Sequence, residues 1–272
     1  MSQAIVLSER DEQVLDELYK WKILTSRQIH KLINPSLHIR SIRKRLARLT
    51  NLGLVEKYQQ AYSQAYWWIT HSGAEAIHKP INKISSRALT GMKNGHHLRV
   101  TEIGLHLHFT AQSNGHVLDQ WETEQQHKYA NKKHFTADAV FTYDTPNQTF
   151  IKILELDRGT EGLRTLRKKI LAYHAWTLHQ PEEGIYLWQT QYPGQHPPLL
   201  LFIFDCPNPK QRIKKLAQWT QHDNIWKNLD VTAVSLQDFK TDCLNKLVGY
   251  RLPTLQPTSV VPVDNMMKGK AA

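Results

Sequence analysis

Between Ser36 and Leu52 the chain reads SLHIRSIRKRLARLTNL, with five basic side chains and no acidic one, and it runs directly into two β-prone segments. Ile39, Ile42, Leu46 and Leu49 recur at the spacing of a single helical stripe. At 100° per residue, Arg40, Lys44 and Arg48 point almost opposite that stripe. They form a cationic ridge about 12 Å long at a rise of 1.5 Å per residue, a length that suits a phosphate backbone or a major groove. Arg43 and Arg45 flank the ridge. Gly53 stands where a helix-ending C′ glycine is expected. The runs Leu54–Tyr58 and Ala65–Thr70 then bracket a polar tip, QQAYSQ, and read as a hairpin. Gln59, Gln60, Tyr62 and Ser63 are the tip residues placed to meet a groove or a phosphate. Trp67 and Trp68 are expected against helices rather than bases, since a strand alternates faces and at least one of the two must point inward.

The preceding residues fit the same arrangement. Ser8 is a predicted N-cap for a helix over Glu9–Trp21, with Glu9, Asp11 and Glu12 at its positive end and Val14, Leu15, Leu18 and Trp21 inward. A second cap at Thr25 or Ser26 opens a short helix, SRQIHKLI, which Asn34-Pro35 breaks. Another short helix is expected over Ala74–Lys79. Together these elements predict a winged helix-turn-helix over residues 1–80 that binds duplex DNA.

The chain has 272 residues and a formal net charge of +11, which suits two domains and a polyanionic partner. No apolar run approaches the ~20 residues a membrane span needs. The N-terminus lacks the basic and apolar regions of a signal peptide, and only two cysteines occur, Cys206 and Cys243. The expectation is a reduced, cytoplasmic protein with no membrane partner. Fifteen histidines are present, but no CxxC or HExxH spacing organises them into a zinc site.

Residues 81–95 read as a linker: from Pro80 to Gly95 the chain mixes Pro, Gly, Ser and Asn with three basic residues and no acid. From His96 the pattern is a helix (HHLRVTEIGLHLHFTA), three strands (His116–Glu124, Phe135–Asp144 and Thr149–Asp157), and a long helix over Thr160–His179. Two more strands, GIYLWQT and PLLLFIF, a basic helix, PKQRIKKLAQWTQ, and a final strand, LDVTAV, follow. This predicts an α/β domain over 96–250 with the order αβββαβ, and a flexible tail over 251–272. The fold class expected for the whole chain is α+β.

The chemistry candidates lie on the third of those strands. In FIKILELD, alternation puts Ile151, Ile153, Glu155 and Asp157 on one face and Lys152, Leu154 and Leu156 on the other. Asp138 sits on the neighbouring strand. Asp138, Glu155 and Asp157 are candidate catalytic residues and candidate ligands of one hard divalent ion such as Mg²⁺. The same residues also admit a structural role, with Glu155 and Asp157 paired to Arg158, Arg164 or Lys168 at the helix entrance.

Several segments carry a family resemblance. They are LSERDEQVLDELYKWKILTSRQIHKLI, the basic helix with LTNLGLVEK, then HHLRVTEIGL and TADAVF, and above all LELDRGTEGLRTLRKKILAY. Over roughly Leu7–Tyr173 the chain resembles the replication-relaxation family of plasmids and integrative elements. Its second domain resembles the PD-(D/E)xK nuclease superfamily. The first resemblance implies a DNA-binding protein of a mobile element, acting in plasmid replication, mobilisation or their transcriptional control. Its implied partners are duplex DNA, a second copy of the chain and other proteins of the element. The second implies Asp138 and Glu155 as motif acids, with Glu102 as an additional carboxylate. There the pattern departs: Asp157 stands where the motif has lysine, and only Lys168 or Lys169 could replace it by reaching back from the next helix. The alternative to a degenerate nuclease-like domain is a metal-dependent DNA endonuclease.

Overall fold

The computed structural model describes residues 6–59, 64–80, 95–130, 133–192, 196–223, 229–242, 249–258 and 260. The chain divides into two compact units, Met1–Glu102 and Ile103–Ala272.

In the first unit, local signals set the helix boundaries. Helix α1 (Glu9–Trp21) starts from a reciprocal cap: Ser8 Oγ accepts from the Asp11 amide at 3.3 Å, and the Asp11 carboxylate accepts from the Ser8 amide at 2.9 Å. Val14, Leu15, Leu18 and Trp21 are fully buried on its inner face. Thr25 and Gln28 cap α2 (Ser26–Ile33) in the same way. The basic helix α3 begins at Ile39, three residues later than Ser36, and ends at Asn51. Asn34 Oδ1 accepts from the Ser36 amide at 3.0 Å and holds that stretch in a turn, and His38 Nδ1 then caps the helix. Its other end is a Schellman motif. Gly53 takes φ +72°, its amide donates to Thr50 O at 2.9 Å, and the Leu54 amide donates to Leu49 O at 3.0 Å.

Strands β2 (Val55–Tyr58) and β3 (Tyr66–Ile69) form the expected hairpin, with Val55 opposite Ile69 and Tyr58 opposite Tyr66. A two-residue strand, β1 (Leu24–Thr25), pairs with the far side of β3, so the sheet order is β1-β3-β2. Trp67 and Trp68 are both buried, though they occupy opposite strand faces. Their indoles donate to Ser26 Oγ at 3.0 Å and Glu56 Oε2 at 3.1 Å, respectively. Helix α4 (His71–Ala76) starts earlier than the expected Ala74, because Thr70 Oγ1 caps it by accepting from the Gly73 amide. Three helices and a small three-stranded sheet in this order make a winged helix.

The division between units falls within α5 (His96–Ser113). The second unit is built on a mixed sheet. Strands β4 (Val117–Tyr129), β5 (Lys133–Asp144) and β6 (Thr149–Asp157) form an antiparallel meander. Helix α6 (Leu163–Thr177) leads towards β7 (Leu199–Phe204), which runs parallel to β6. Helix α8 (Pro209–Thr220) leads towards β8 (Val231–Ser235), parallel to β7. After α9 (Leu236–Asp242), β9 (Gly249–Arg251) and β10 (Gln256–Thr258) complete a seven-stranded sheet, order β10-β9-β8-β7-β6-β5-β4. Residues 151–157 of β6 are buried throughout, as a central strand covered on both faces requires. Ile151, Ile153, Phe202 and Phe204 pack with Leu166, Ile170 and Trp176 of α6 and with Ile213 and Leu216 of α8.

Two expectations need correction. GIYLWQT is not a strand. Its second half is a short helix, α7 (Leu187–Gln191), in which Gln189 Oε1 accepts from the Tyr186 amide at 2.8 Å and Trp188 is buried in the core. That local cap overrides the β-prone composition. The tail is also shorter than expected: Leu252 is buried, and β10 extends the sheet to Thr258, beyond the boundary drawn at 251. Residues 261–272 lie outside the described residues.

Candidate nucleic-acid interface and acidic site

Helix α3 buries Ile42, Leu46 and Leu49 and turns its basic residues outward in two groups. Arg40, Arg43 and Lys44 are exposed, and among the described residues their side chains make no hydrogen bond or ion pair. Arg45 and Arg48 instead reach across to Asp11, a fully buried carboxylate. Arg45 also donates to Ser8 Oγ at 2.8 Å, and Arg48 to Val6 O at 3.0 Å. Burial by itself would raise the Asp11 pKa. The Ser8 amide and hydroxyl and the two guanidiniums outweigh it and hold the group at about 2, below its usual 3.8. Thus the ridge Arg40–Lys44–Arg48 is divided: Arg48 is half exposed but bonded to α1, while Arg43 joins the uncommitted cations. The sequence marks Ser8 as the cap and Asp11 as one of three acids in the first turn, but nothing in it links Asp11 to α3. Of the wing residues, Gln59 is exposed; Gln60, Tyr62 and Ser63 fall outside the described residues.

Towards the C-terminal end of β6 the three candidate carboxylates part company. Glu155, fully buried, accepts from Tyr173 OH at 2.6 Å and from Lys169 Nζ at 2.9 Å, both on α6. Lys169 also lies 3.2 Å from Glu161. Asp138 is close enough to act on both Glu155 and Lys169 electrostatically, and its Oδ2 accepts from the Leu156 amide at 2.7 Å. Asp157 faces Arg212 of α8, which holds it through two hydrogen bonds, and Gly159 N donates to it at 3.0 Å. Arg212 donates as well to the Glu161 carbonyl.

Burial, and then the charge of Asp138, push the Glu155 pKa up to about 7 against the pull of Lys169 and Tyr173. Burial works against the charge of Lys169, but Glu155, Asp138 and Glu161 prevail and hold it protonated. Tyr173 is pushed well above its ordinary value by burial and by Glu155. Lys152, on the same strand, joins none of these bonds; burial draws it down to about 8.

The site therefore joins Asp138, Glu155 and Lys169, and sets Asp157 apart in a second ion pair. Convergence of all three carboxylates on one ion is not what the geometry gives: among the described residues no group of three His, Cys, Asp or Glu is arranged to hold a metal. Both Glu155 oxygens are engaged and Asp157 is bound by arginine, so the residues present do not fit Mg²⁺ in this arrangement. The cations that bind the acids are Lys169 and Arg212, not Arg158, Arg164 or Lys168. Lys169 was within reach of sequence reasoning, 14 residues after Glu155 on the next helix. Arg212 lies 55 residues from Asp157, and no local signal connects them.

A winged helix followed by a unit of order αβββαβ defines a two-part α+β protein, with a cationic helix in one part and a buried acid–lysine cluster in the other. Residues 15–186 match the model of the Replication-relaxation family, and the chain belongs to that family. Among solved structures it is similar to Escherichia coli MarR, as a cysteine-to-serine mutant complexed with operator DNA and as the oxidized form. Each is 19% identical over 26% of this chain and 51% of that one, with a TM-score of 0.24. It is also similar to the restriction endonuclease FokI, 12% identical over 88% of this chain and 45% of that one, with a TM-score of 0.30. The chain spans about half the length of these structures or less. No curated protein matches it. Among the described residues, no helix is long and apolar enough to cross a membrane.

Proposed function

We propose that this chain is a duplex-DNA-binding protein of a mobile genetic element, acting in plasmid replication, mobilisation or their transcriptional control. One observation carries the reading: Arg40, Arg43 and Lys44 are exposed together on α3, with no partner among the described residues. A helix bounded by a Schellman motif and clamped by Asp11 is a rigid support for three such cations. Arginine and lysine at this spacing neutralise phosphates or reach guanine edges in the major groove.

The Arg40→Ala/Arg43→Ala/Lys44→Ala variant should lose most duplex affinity while remaining folded. The measurement is fluorescence anisotropy on duplexes from the gene's upstream region and from the element's transfer origin. Each side chain that reads a base should contribute about 1–3 kcal/mol, and each phosphate contact should instead flatten the salt dependence. A folded triple variant that binds duplex DNA as tightly as the parent would exclude α3 as the interface.

A metal-dependent DNA endonuclease is the second reading, and one contact favours it. Lys169 brings to Glu155 the cation that the PD-(D/E)xK pattern would place at 157. The expected result with supercoiled or single-stranded DNA and Mg²⁺ or Mn²⁺ is nonetheless little or no cleavage. Tyr173 and Lys169 occupy both Glu155 oxygens, and among the described residues no third carboxylate joins the cluster as a metal ligand. Robust cleavage abolished by Glu155→Gln would transfer the chain to the enzymes.

A further inference from the structure

The second unit carries a cationic surface that the reading above leaves unused. Helices α6 and α8 pack against the same sheet face, and neither contains an acidic residue. Four of their basic side chains are committed: Arg167 to Asp223, Lys169 to Glu155 and Glu161, Arg212 to Asp157, and Lys210 to Asp238. Another four, Arg164, Lys168, Lys214 and Lys215, are exposed and make no ion pair among the described residues.

Trp219, one turn after Lys215 on the same flank of α8, is 50% exposed. At 100° per residue, positions 212, 215, 219 and 223 follow one stripe along α8 and just beyond its end. Both ends of that stripe are fastened towards α6. Arg212 donates to the Glu161 carbonyl, and the Asp223 carboxylate accepts from Arg167 at 2.6 and 2.9 Å. The flank between them, holding Lys215 and Trp219, is therefore turned towards α6. Its one acid, Asp223, is neutralised by a two-bond arginine contact. What remains is an aromatic ring beside Lys215, Arg164 and Lys168, which make no ion pair among the described residues.

We infer that the α6–α8 face binds single-stranded DNA, with Trp219 stacking on a base and Lys215, Arg164 and Lys168 meeting the phosphates. Duplex DNA keeps its bases stacked on one another, so an exposed ring on a helix flank has no base face to meet there. An unpaired strand offers such a face at every nucleotide and needs no sequence readout. The choice of DNA over RNA rests on the reading of the chain as a DNA-binding protein.

The test uses the full chain and fluorescein-labelled oligothymidylate, with oligouridylate and a hairpin duplex alongside. Trp219→Ala should weaken oligothymidylate binding roughly tenfold, the scale of one lost base–aromatic stack. Trp219→Phe should retain most of the affinity. Lys215→Glu should weaken binding and flatten its salt dependence. Duplex affinity should stay unchanged in all three. Unchanged oligothymidylate binding in Trp219→Ala and in the lysine variant overturns the proposal, as does an equal loss for duplex and single strand. Binding of oligouridylate in place of oligothymidylate also overturns it. The α3 triple variant separates the two interfaces. If it keeps duplex affinity while Trp219→Ala loses the single strand, the duplex reading fails and this one stands.

Discussion

Arg212→Ala is expected to lower the stability of the second unit by about 3–5 kcal/mol, the usual cost of leaving a buried charge without its partner. The Asp157 side chain is 1% exposed and depends on Arg212 for two of its hydrogen bonds. The third, from Gly159 N, cannot neutralise a carboxylate. Arg212 also satisfies the Glu161 carbonyl ahead of α6, so its loss loosens the entry to a second helix. Urea unfolding of the full chain, followed by circular dichroism, measures the effect. Arg212→Ala/Asp157→Asn should recover part of the loss, because a neutral amide is cheaper to bury than an unpaired anion. A loss below about 1 kcal/mol would show that water reaches Asp157 and that the pair is a surface contact in energetic terms.

This arginine marks the boundary of what the sequence makes legible. Helices α1, α2 and α3 follow from caps and periodicity, signals confined to a few residues: Ser8 before the first, Thr25 or Ser26 before the second, and Gly53 after the third. Three strands are expected where β4, β5 and β6 stand, and a Thr-Pro-Asn-Gln turn joins the last two, but β4 runs on to Tyr129 rather than ending at Glu124. Strand β1 was not expected, since two residues cannot show a period and its pairing with β3 is a tertiary fact. GIYLWQT misled because a five-residue helix carries too little periodicity to compete with β-prone aromatics. The acids of the site were readable as residues and Lys169 as one of two candidate cations, but Tyr173 and Arg212 were not. Glu155 and Asp157 share a strand face, yet Lys169 and Tyr173 claim one while Arg212 claims the other. Which cation meets which carboxylate depends on how α6 and α8 cross the sheet, and hydrophobic patterning fixes only their inward faces.

The same division of labour governs the recognition helix, and it leads to the second large effect. Asp11→Asn should destabilise the winged-helix unit by about 2 kcal/mol at neutral pH. The folded carboxylate titrates at about 2, against its ordinary 3.8, and each unit of difference corresponds to about 1.4 kcal/mol. Because the folded pKa is depressed, this stabilisation is present above the unfolded value. It is lost as pH falls from about 4 through 2. The parent and Asp11→Asn should therefore differ most at neutral pH and converge near pH 2, and thermal unfolding across that range measures it. Arg45 and Arg48 retain enough exposure to be solvated when Asp11 loses its charge, which keeps the loss below that of a fully enclosed pair. Equal stability at pH 7 would mean that the two guanidiniums do not anchor α3. Duplex affinity, measured where both proteins are folded, then separates two roles. If Arg48 serves only to brace the helix, Asp11→Asn should bind no more tightly than the parent. A gain in affinity that depends on Arg48 would instead make Asp11 a competitor with phosphate for that arginine.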